Sequence, residues 1–263
     1  MSLSLNFIEK GNSKKSILLL HGLFGSSANW NSIGAKLEDQ YRVIIPDLRN
    51  HGQSPQSSVM SYRAVGQDII TLIDKLNISK CLLLGHSMGG KVAMQVALTY
   101  PERINGLSVI DMAPVNYNHN FERIFRGFDS VDLDKLKTRS DAIEQMETNI
   151  PEMDVRQFLL KNLIKTHTGW KWRLNIKNLR DNQKEITKFS PPQSQFRGPS
   201  WFLHGTKSDY LLPHYEPSIF KLFPRAQIFP IYGAGHWVHT DRPDLFWACV
   251  EKFLAVCNKN TKS

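Results

Sequence analysis

Short, wholly apolar runs alternate with longer amphipathic stretches through the first half of the chain. The runs fall at residues 16–20, 43–45, 81–84 and 107–110, and periodic segments occupy 32–40, 62–76 and 89–100. Strands buried on both faces read as unbroken hydrophobic runs, so this rhythm predicts a doubly wound α/β architecture around a parallel sheet. Residues 3–8 predict an antiparallel edge strand ahead of that sheet. In the 62–76 segment, Ser61 stands where a helix cap is expected. Val65, Ile69, Leu72, Ile73 and Leu76 then share one stripe that must pack on the sheet.

After Pro114 the rhythm stops. Residues 116–192 are helical in pattern and rich in charge, with Ile143, Met146 and Ile150 in one segment, an apolar stretch at 158–164, and no evident sheet strand. The organisation expected is a core of residues 1–115 and 193–263 carrying a helical lid of residues 116–192. Strand patterns return at 200–203 and 227–231. A final helix is expected over 244–256, opened by Pro243 in the first turn, where proline is tolerated. Residues 258–263 form a polar tail expected to fray.

The chain's 263 residues suffice for one large core without disulfides or metals. With 41% hydrophobic and 22% charged residues it belongs with folded globular proteins. A net charge of +9 raises nucleic acid as a partner, but the basic residues are scattered. The densest group, Lys171, Arg173, Lys177 and Arg180, is interrupted by Asp181 and Glu185 and reads as a solvated helix face. No nucleic-acid partner is expected. No apolar run approaches the 18 residues that a bilayer span needs, and the opening MSLSLNFIEKG lacks a signal-peptide pattern. Cys81, Cys249 and Cys257 make neither a disulfide framework nor a CxxC pair, so no metal or cofactor is expected. Cys81, at the head of an apolar run, reads as a small buried hydrophobe. The expected compartment is reducing and intracellular: cytoplasmic or, if a targeting segment is missing from this chain, mitochondrial.

The strongest chemical signal is CLLLGHSMGGKVAMQVAL, where Gly85, Ser87 and Gly89 make a G-x-S-x-G match between an apolar run and an apolar helix pattern. A serine on so tight a strand-to-helix turn needs small residues two before and two after it, which lets the chain double back. Its hydroxyl then stands in the open, and the backbone N–H of Met88 points from the helix start at any oxyanion forming nearby. A phosphate loop is excluded, because Val92 stands where the serine or threonine after the lysine would hold magnesium.

These residues, with HGLFGSSANW at 21–30, PDLRNHGQS at 46–54, IDMAPV at 110–115 and GAGHWVHTDRP at 233–243, resemble the α/β-hydrolase superfamily. Within it the chain looks most like small bacterial acyl-esterases and their mitochondrial serine-hydrolase relatives. The resemblance implies the α/β-hydrolase fold, a mostly parallel doubly wound sheet with a helical lid inserted after the sixth strand. It implies Ser87 as nucleophile and His236 as its base, with the N–H of Leu23 beside that of Met88 as oxyanion donors. The orienting acid is open between Asp111, at a strand end in IDMAP, and Asp209, after SWFLHG. The superfamily's usual arrangement favours Asp209 and the esterase subgroup favours Asp111.

His239 reads as a surface or loop-stabilising residue, and His21 and His51 as packing or hydrogen-bonding groups. Asp47 and Arg49 are expected to hold neighbouring loops through a buried ion pair. Phe24, Trp237 and Met88 are expected to wall the substrate pocket, whereas Phe121, Phe125, Phe128 and Trp172 read as packing of the lid. The expected substrate is a small-molecule ester or thioester with a short to medium acyl chain. A C–C bond hydrolase or lyase using the same three residues, and a catalytically silent interaction protein on this scaffold, are the alternatives.

Overall fold

The computed structural model describes residues 2–260. Seven strands form one sheet: β1 (Phe7–Lys10), β2 (Ser16–Leu20), β3 (Arg42–Pro46), β4 (Cys81–His86), β5 (Ile104–Ile110), β8 (Ser200–Gly205) and β9 (Ala226–Ile231), in the order β1-β3-β2-β4-β5-β8-β9. Only β1 runs antiparallel, pairing Phe7 with Pro46 and Lys10 with Val43 at the edge. Helices α1 (Asn31–Leu37), α2 (Tyr62–Lys75) and α3 (Met88–Thr99) connect the early strands. Between β5 and β8 lie α4 (Glu122–Asp129), α5 (Arg139–Met146), α6 (Met153–Leu160), the hairpin β6 (Leu163–Thr166) and β7 (Gly169–Trp172), α7 (Ile176–Asp181) and α8 (Gln183–Thr187). After β8 come α9 (Glu216–Leu222), α10 (Val238–Asp241) and the long α11 (Pro243–Asn260).

Alternation along each strand sorts the core into two layers. Leu18, Leu20, Ile44 and Leu83 face α2, α3 and the lid helices, whereas Ile17, Leu19, Val43, Leu82 and Leu84 face α1 and α11. The expected α2 stripe is buried at Val65, Ile69, Leu72 and Ile73, and the Ser61 hydroxyl accepts from the Ala64 N–H. Cys81 is buried as expected. Chain order reverses across β2, with β3 on one side of it and β4 on the other. The carboxyl ends of β2 and β4 therefore flank the crevice where open α/β sheets bind ligands.

Several expectations need correction. The insertion follows the fifth strand in chain order, not the sixth. Leu3 and Asn6 direct their N–H groups to the side chains of Asp68 and Ser54 instead of to a neighbouring strand, so one strand alone precedes β2 and the edge strand starts at Phe7. The lid also contains strands: Trp170 and Trp172 are half-buried between exposed Gly169 and Lys171, a two-residue period too short to stand out from its helical surroundings. Lys171 accordingly lies on that hairpin and not on a helix; Lys177 and Arg180, on α7, pair with Asp181 and Asp129. The last helix continues to Asn260, so 258–260 are helical, and the rest of the expected tail lies outside the described residues.

Arg49 pairs with Asp68, not Asp47. Its Nε and Nη2 donate to the two carboxylate oxygens at 2.7 and 2.8 Å, and Nη1 donates to the Val59 carbonyl. Asp47 instead accepts from the backbone N–H groups of Ser27 and Gln53, which ties the 21–30 loop to the 46–54 loop. Both Arg49 and Asp68 are almost wholly buried. Removing one partner leaves the other charge uncompensated, so Arg49→Met is expected to lower unfolding free energy by about 3–5 kcal/mol in urea titration. A change of less than about 1 kcal/mol would show that this pair does not anchor α2 to the loop.

Candidate active site

Ser87 occupies the turn from β4 into α3 with φ 54° and ψ −121°, a backbone region that non-glycine residues rarely enter. The turn is held from the strand side, where the Ser87 N–H donates to Ile110 O at 3.0 Å. Its closeness depends on two glycines. A Cβ on Gly85 would stand 2.3 Å from Gly89 O, and one on Gly89 would stand 2.4 Å from Leu20 O. The helix start can thus rest on the ends of β2 and β4, with the serine side chain facing the crevice.

The loop after β9 brings His236 over that crevice. Its Nδ1 donates to Asp111 Oδ2 at 2.6 Å, which leaves Nε2 to accept from the Ser87 hydroxyl at 3.0 Å. Asp111 directly follows β5, is fully buried and also has positive φ, 51°. Its carboxylate further accepts from the Gly205 N–H at 3.0 Å and from the Ser208 hydroxyl. Asp209 is exposed and makes no hydrogen bond to His236 among the described residues. In the loop after β8, Ser208, one position earlier, is the residue that donates to Asp111.

Two neighbours missed from sequence, Tyr210 and His86, hold His236 in place. Tyr210 stacks on its face with centroids 3.8 Å apart, and burial pushes the phenol up to about 12, so the ring is neutral at pH 7. His86 Nε2 donates to the backbone carbonyl of His236 at 2.8 Å. His239 packs between Trp30 and His86 and, contrary to the surface reading, its Nδ1 is buried without a partner among the described residues. Burial is the main cause holding His86 well below the usual imidazole range, taking His239 to about 4 and His51 to about 3. These rings are uncharged at neutral pH, so an imidazolium at His236 would meet none of their charge.

The loop after β2 completes the crevice. Gly22 lies so close that a Cβ there would be 3.2 Å from Ser87 Cβ. Phe24 takes φ 62°, its N–H donates to His51 Nε2, and its carbonyl accepts from Asn162 Nδ2 in the lid. The N–H of Leu23 and that of Met88, the first residue of α3, have no protein acceptor among the described residues. The helix start adds a favourable field for negative charge.

Above them a cavity of about 350 Å³ is lined by residues of both core and lid, including Ser87, Phe24, Met88, Phe158 and Trp237. Phe24, Met88 and Trp237, the residues expected to wall a pocket, are among those that line this cavity. Phe125 meets Phe24 edge to face, Phe128 packs tilted against it, and Trp172 packs on Phe128, as expected of the lid's own core. Phe121 differs, because it faces the cavity. It directly precedes α4, a place on the cavity wall that a helical stripe alone does not reveal.

Comparison with known proteins gives concordant results. The family described as alpha/beta hydrolase fold matches residues 15–243. Mouse (Mus musculus) sn-1-specific diacylglycerol lipase ABHD11 is 37% identical over 263 residues, covering 97% of this chain and 86% of the relative. Esterase YbfF of Escherichia coli is 35% identical over 239 residues, covering 90% of this chain and 92% of that one. Among solved structures, a marine microorganism esterase superposes with a TM-score of 0.93 at 35% identity, covering 96% of this chain and all of its own.

Proposed function

The chain belongs to the α/β-hydrolase fold family and is a carboxylic ester hydrolase, and we propose that Ser87, His236 and Asp111 carry its reaction through an acyl-serine intermediate. The observation that carries this reading is the continuous path of hydrogen bonds from Asp111 through His236 to the Ser87 oxygen. His236 Nε2 takes the hydroxyl proton as that oxygen attacks the ester carbonyl. The N–H groups of Leu23 and Met88 receive the resulting oxyanion, and protonated His236 then delivers its proton to the departing alcohol. Water, activated by the same imidazole, attacks the acyl-enzyme and releases the acid. Asp111 fixes the tautomer that presents Nε2 to the serine and stabilises the imidazolium.

A cavity of this size suits short to medium acyl chains on esters or thioesters. The mouse relative's name specifies a diacylglycerol lipase and the bacterial relative's an esterase, which favours ester cleavage over the C–C bond chemistry that the same three residues can support on this fold. A series of 4-nitrophenyl esters from acetyl to dodecanoyl tests the reading. Turnover is expected for the shorter members, with a pre-steady-state burst of nitrophenol equal to one per active site wherever deacylation is slow. Efficient labelling by a fluorophosphonate without turnover of any ester or thioester would point to C–C bond chemistry instead.

A further inference from the structure

Lys91 lies on α3 one helical turn after Ser87, and helical side chains lean toward the N-terminus, so its ammonium is carried back toward the nucleophile's end of the helix. The residue is only 1% exposed, yet it lines the same cavity as Ser87. Nζ donates to the carbonyls of Thr187 at 2.8 Å and Lys188 at 3.2 Å, at the end of α8. Rings of Tyr117, Tyr62 and Phe189 surround it at 4.7, 5.5 and 5.9 Å. No carboxylate pairs with it, and one of its three N–H bonds has no protein acceptor among the described residues.

A buried ammonium without an anion is costly, and methionine would fill the same volume without that desolvation penalty. Burial alone depresses this lysine to about 7, with no charged neighbour contributing, so an arriving anion would restore its charge. Nearby hydroxyls do not compete for the role. The Tyr62 hydroxyl donates to Ile186 O and the Tyr117 hydroxyl to Tyr210 O. The remaining N–H of Lys91 is thus a buried cationic donor in a largely apolar and aromatic part of the cavity wall; Lys161 and Asp154, which also line the cavity, are exposed.

We propose that Lys91 is a specificity-determining residue that binds a carboxylate at the end of an ester substrate remote from the scissile carbonyl. This rests on the acyl-serine reading and adds the substrate class: esters bearing a distal carboxylate, such as monoesters of dicarboxylic acids. A charge-assisted hydrogen bond to a buried donor discriminates by about 10- to 100-fold between such a substrate and its uncharged counterpart.

The test compares 4-nitrophenyl monoesters of four- to eight-carbon dicarboxylic acids with the same compounds capped as methyl esters. Acetate esters of ω-hydroxy acids and their methyl caps place the carboxylate in the alcohol half instead. In wild type, kcat/KM for the free acid is expected to exceed that for its cap by about 10-fold or more at one chain length in one arm, through KM. In Lys91→Met the ratio is expected to fall to near unity. Lys91→Arg, which keeps the charge, should restore part of it.

A wild-type ratio near unity at every length in both arms overturns the proposal, and that comparison stands even if the variants do not fold. A ratio unchanged in Lys91→Met, with both substrates slowed equally, overturns it in favour of a purely structural clamp on α8. Capped esters turned over without any preference contradict the Lys91 role alone. Absence of turnover on every ester, capped or free, contradicts the acyl-serine reading itself.

Discussion

Ser87→Ala is expected to reduce kcat/KM on a short activated ester by roughly 10⁴-fold or more while leaving the circular dichroism spectrum and cooperative unfolding intact. The size follows from chemistry. Without the hydroxyl no acyl-enzyme forms, and His236 is left to direct water at a carbonyl that the Leu23 and Met88 N–H groups still polarise. Such residual catalysis is ordinarily far below the full rate. The fold should tolerate the change, because the hydroxyl's hydrogen bond in the structure is to His236, at the crevice, and contributes nothing to the packing of β4 or α3. Ser87 keeps its positive φ through its neighbours' packing, and alanine, with the same Cβ, bears the same backbone strain of about 1–3 kcal/mol that serine already bears. A variant retaining more than about one-tenth of wild-type kcat/KM would show that the ester is cleaved elsewhere.

The second large effect separates the two carboxylates. Asp111→Asn is expected to lower kcat by about 10⁴-fold at pH 7, because an amide presented to Nδ1 no longer favours the tautomer in which Nε2 accepts from serine and no longer balances the imidazolium. Asp209→Asn is expected to stay within about 3-fold of wild type, because a solvent-exposed charge acts weakly on a group that it does not touch. Steady-state kinetics on one ester across wild type and both variants decides this. A large loss in Asp209→Asn with a small one in Asp111→Asn would reverse the assignment.

Why the sequence left that choice open is physical. Both aspartates follow strands that end on the same sheet edge, β5 and β8, so strand position alone puts either carboxylate near the imidazole. The difference lies in one residue of register within the loop after β8. There Ser208 turns inward and donates to Asp111, while Asp209 turns to solvent. Asp111 also depends on an unusual backbone conformation, φ 51°, which no local pattern in IDMAP announces.

The tight turn around Ser87 was legible for the opposite reason. Gly85 is demanded within the turn itself, where a Cβ would meet the Gly89 carbonyl, and Gly89 by the Leu20 carbonyl at the end of the neighbouring β2. The parallel sheet was legible too, since strands buried on both faces admit few polar residues. What the pattern hid were features made by distant segments meeting. Arg49 finds Asp68 across nineteen positions, the Tyr210 ring covers His236, and Lys91 meets the carbonyls at the end of α8, ninety-six positions away. Lys91 carried a signal nonetheless: a lone lysine inside the apolar helix run after GHSMGG has no solvated face to occupy. The β6–β7 hairpin escaped because its two strands of four residues each sit among charged helical segments and bury only one face.

The account depends on the Ser87 oxygen being the atom that takes the acyl group. Intact-mass analysis after incubation with a fluorophosphonate, followed by fragmentation of the modified peptide, tests this most directly. One adduct per chain is expected, on the Ser87 oxygen within GHSMGG, and none in Ser87→Ala. An unmodified protein that still cleaves esters, or an adduct on any other residue that accounts for the lost activity, would contradict it.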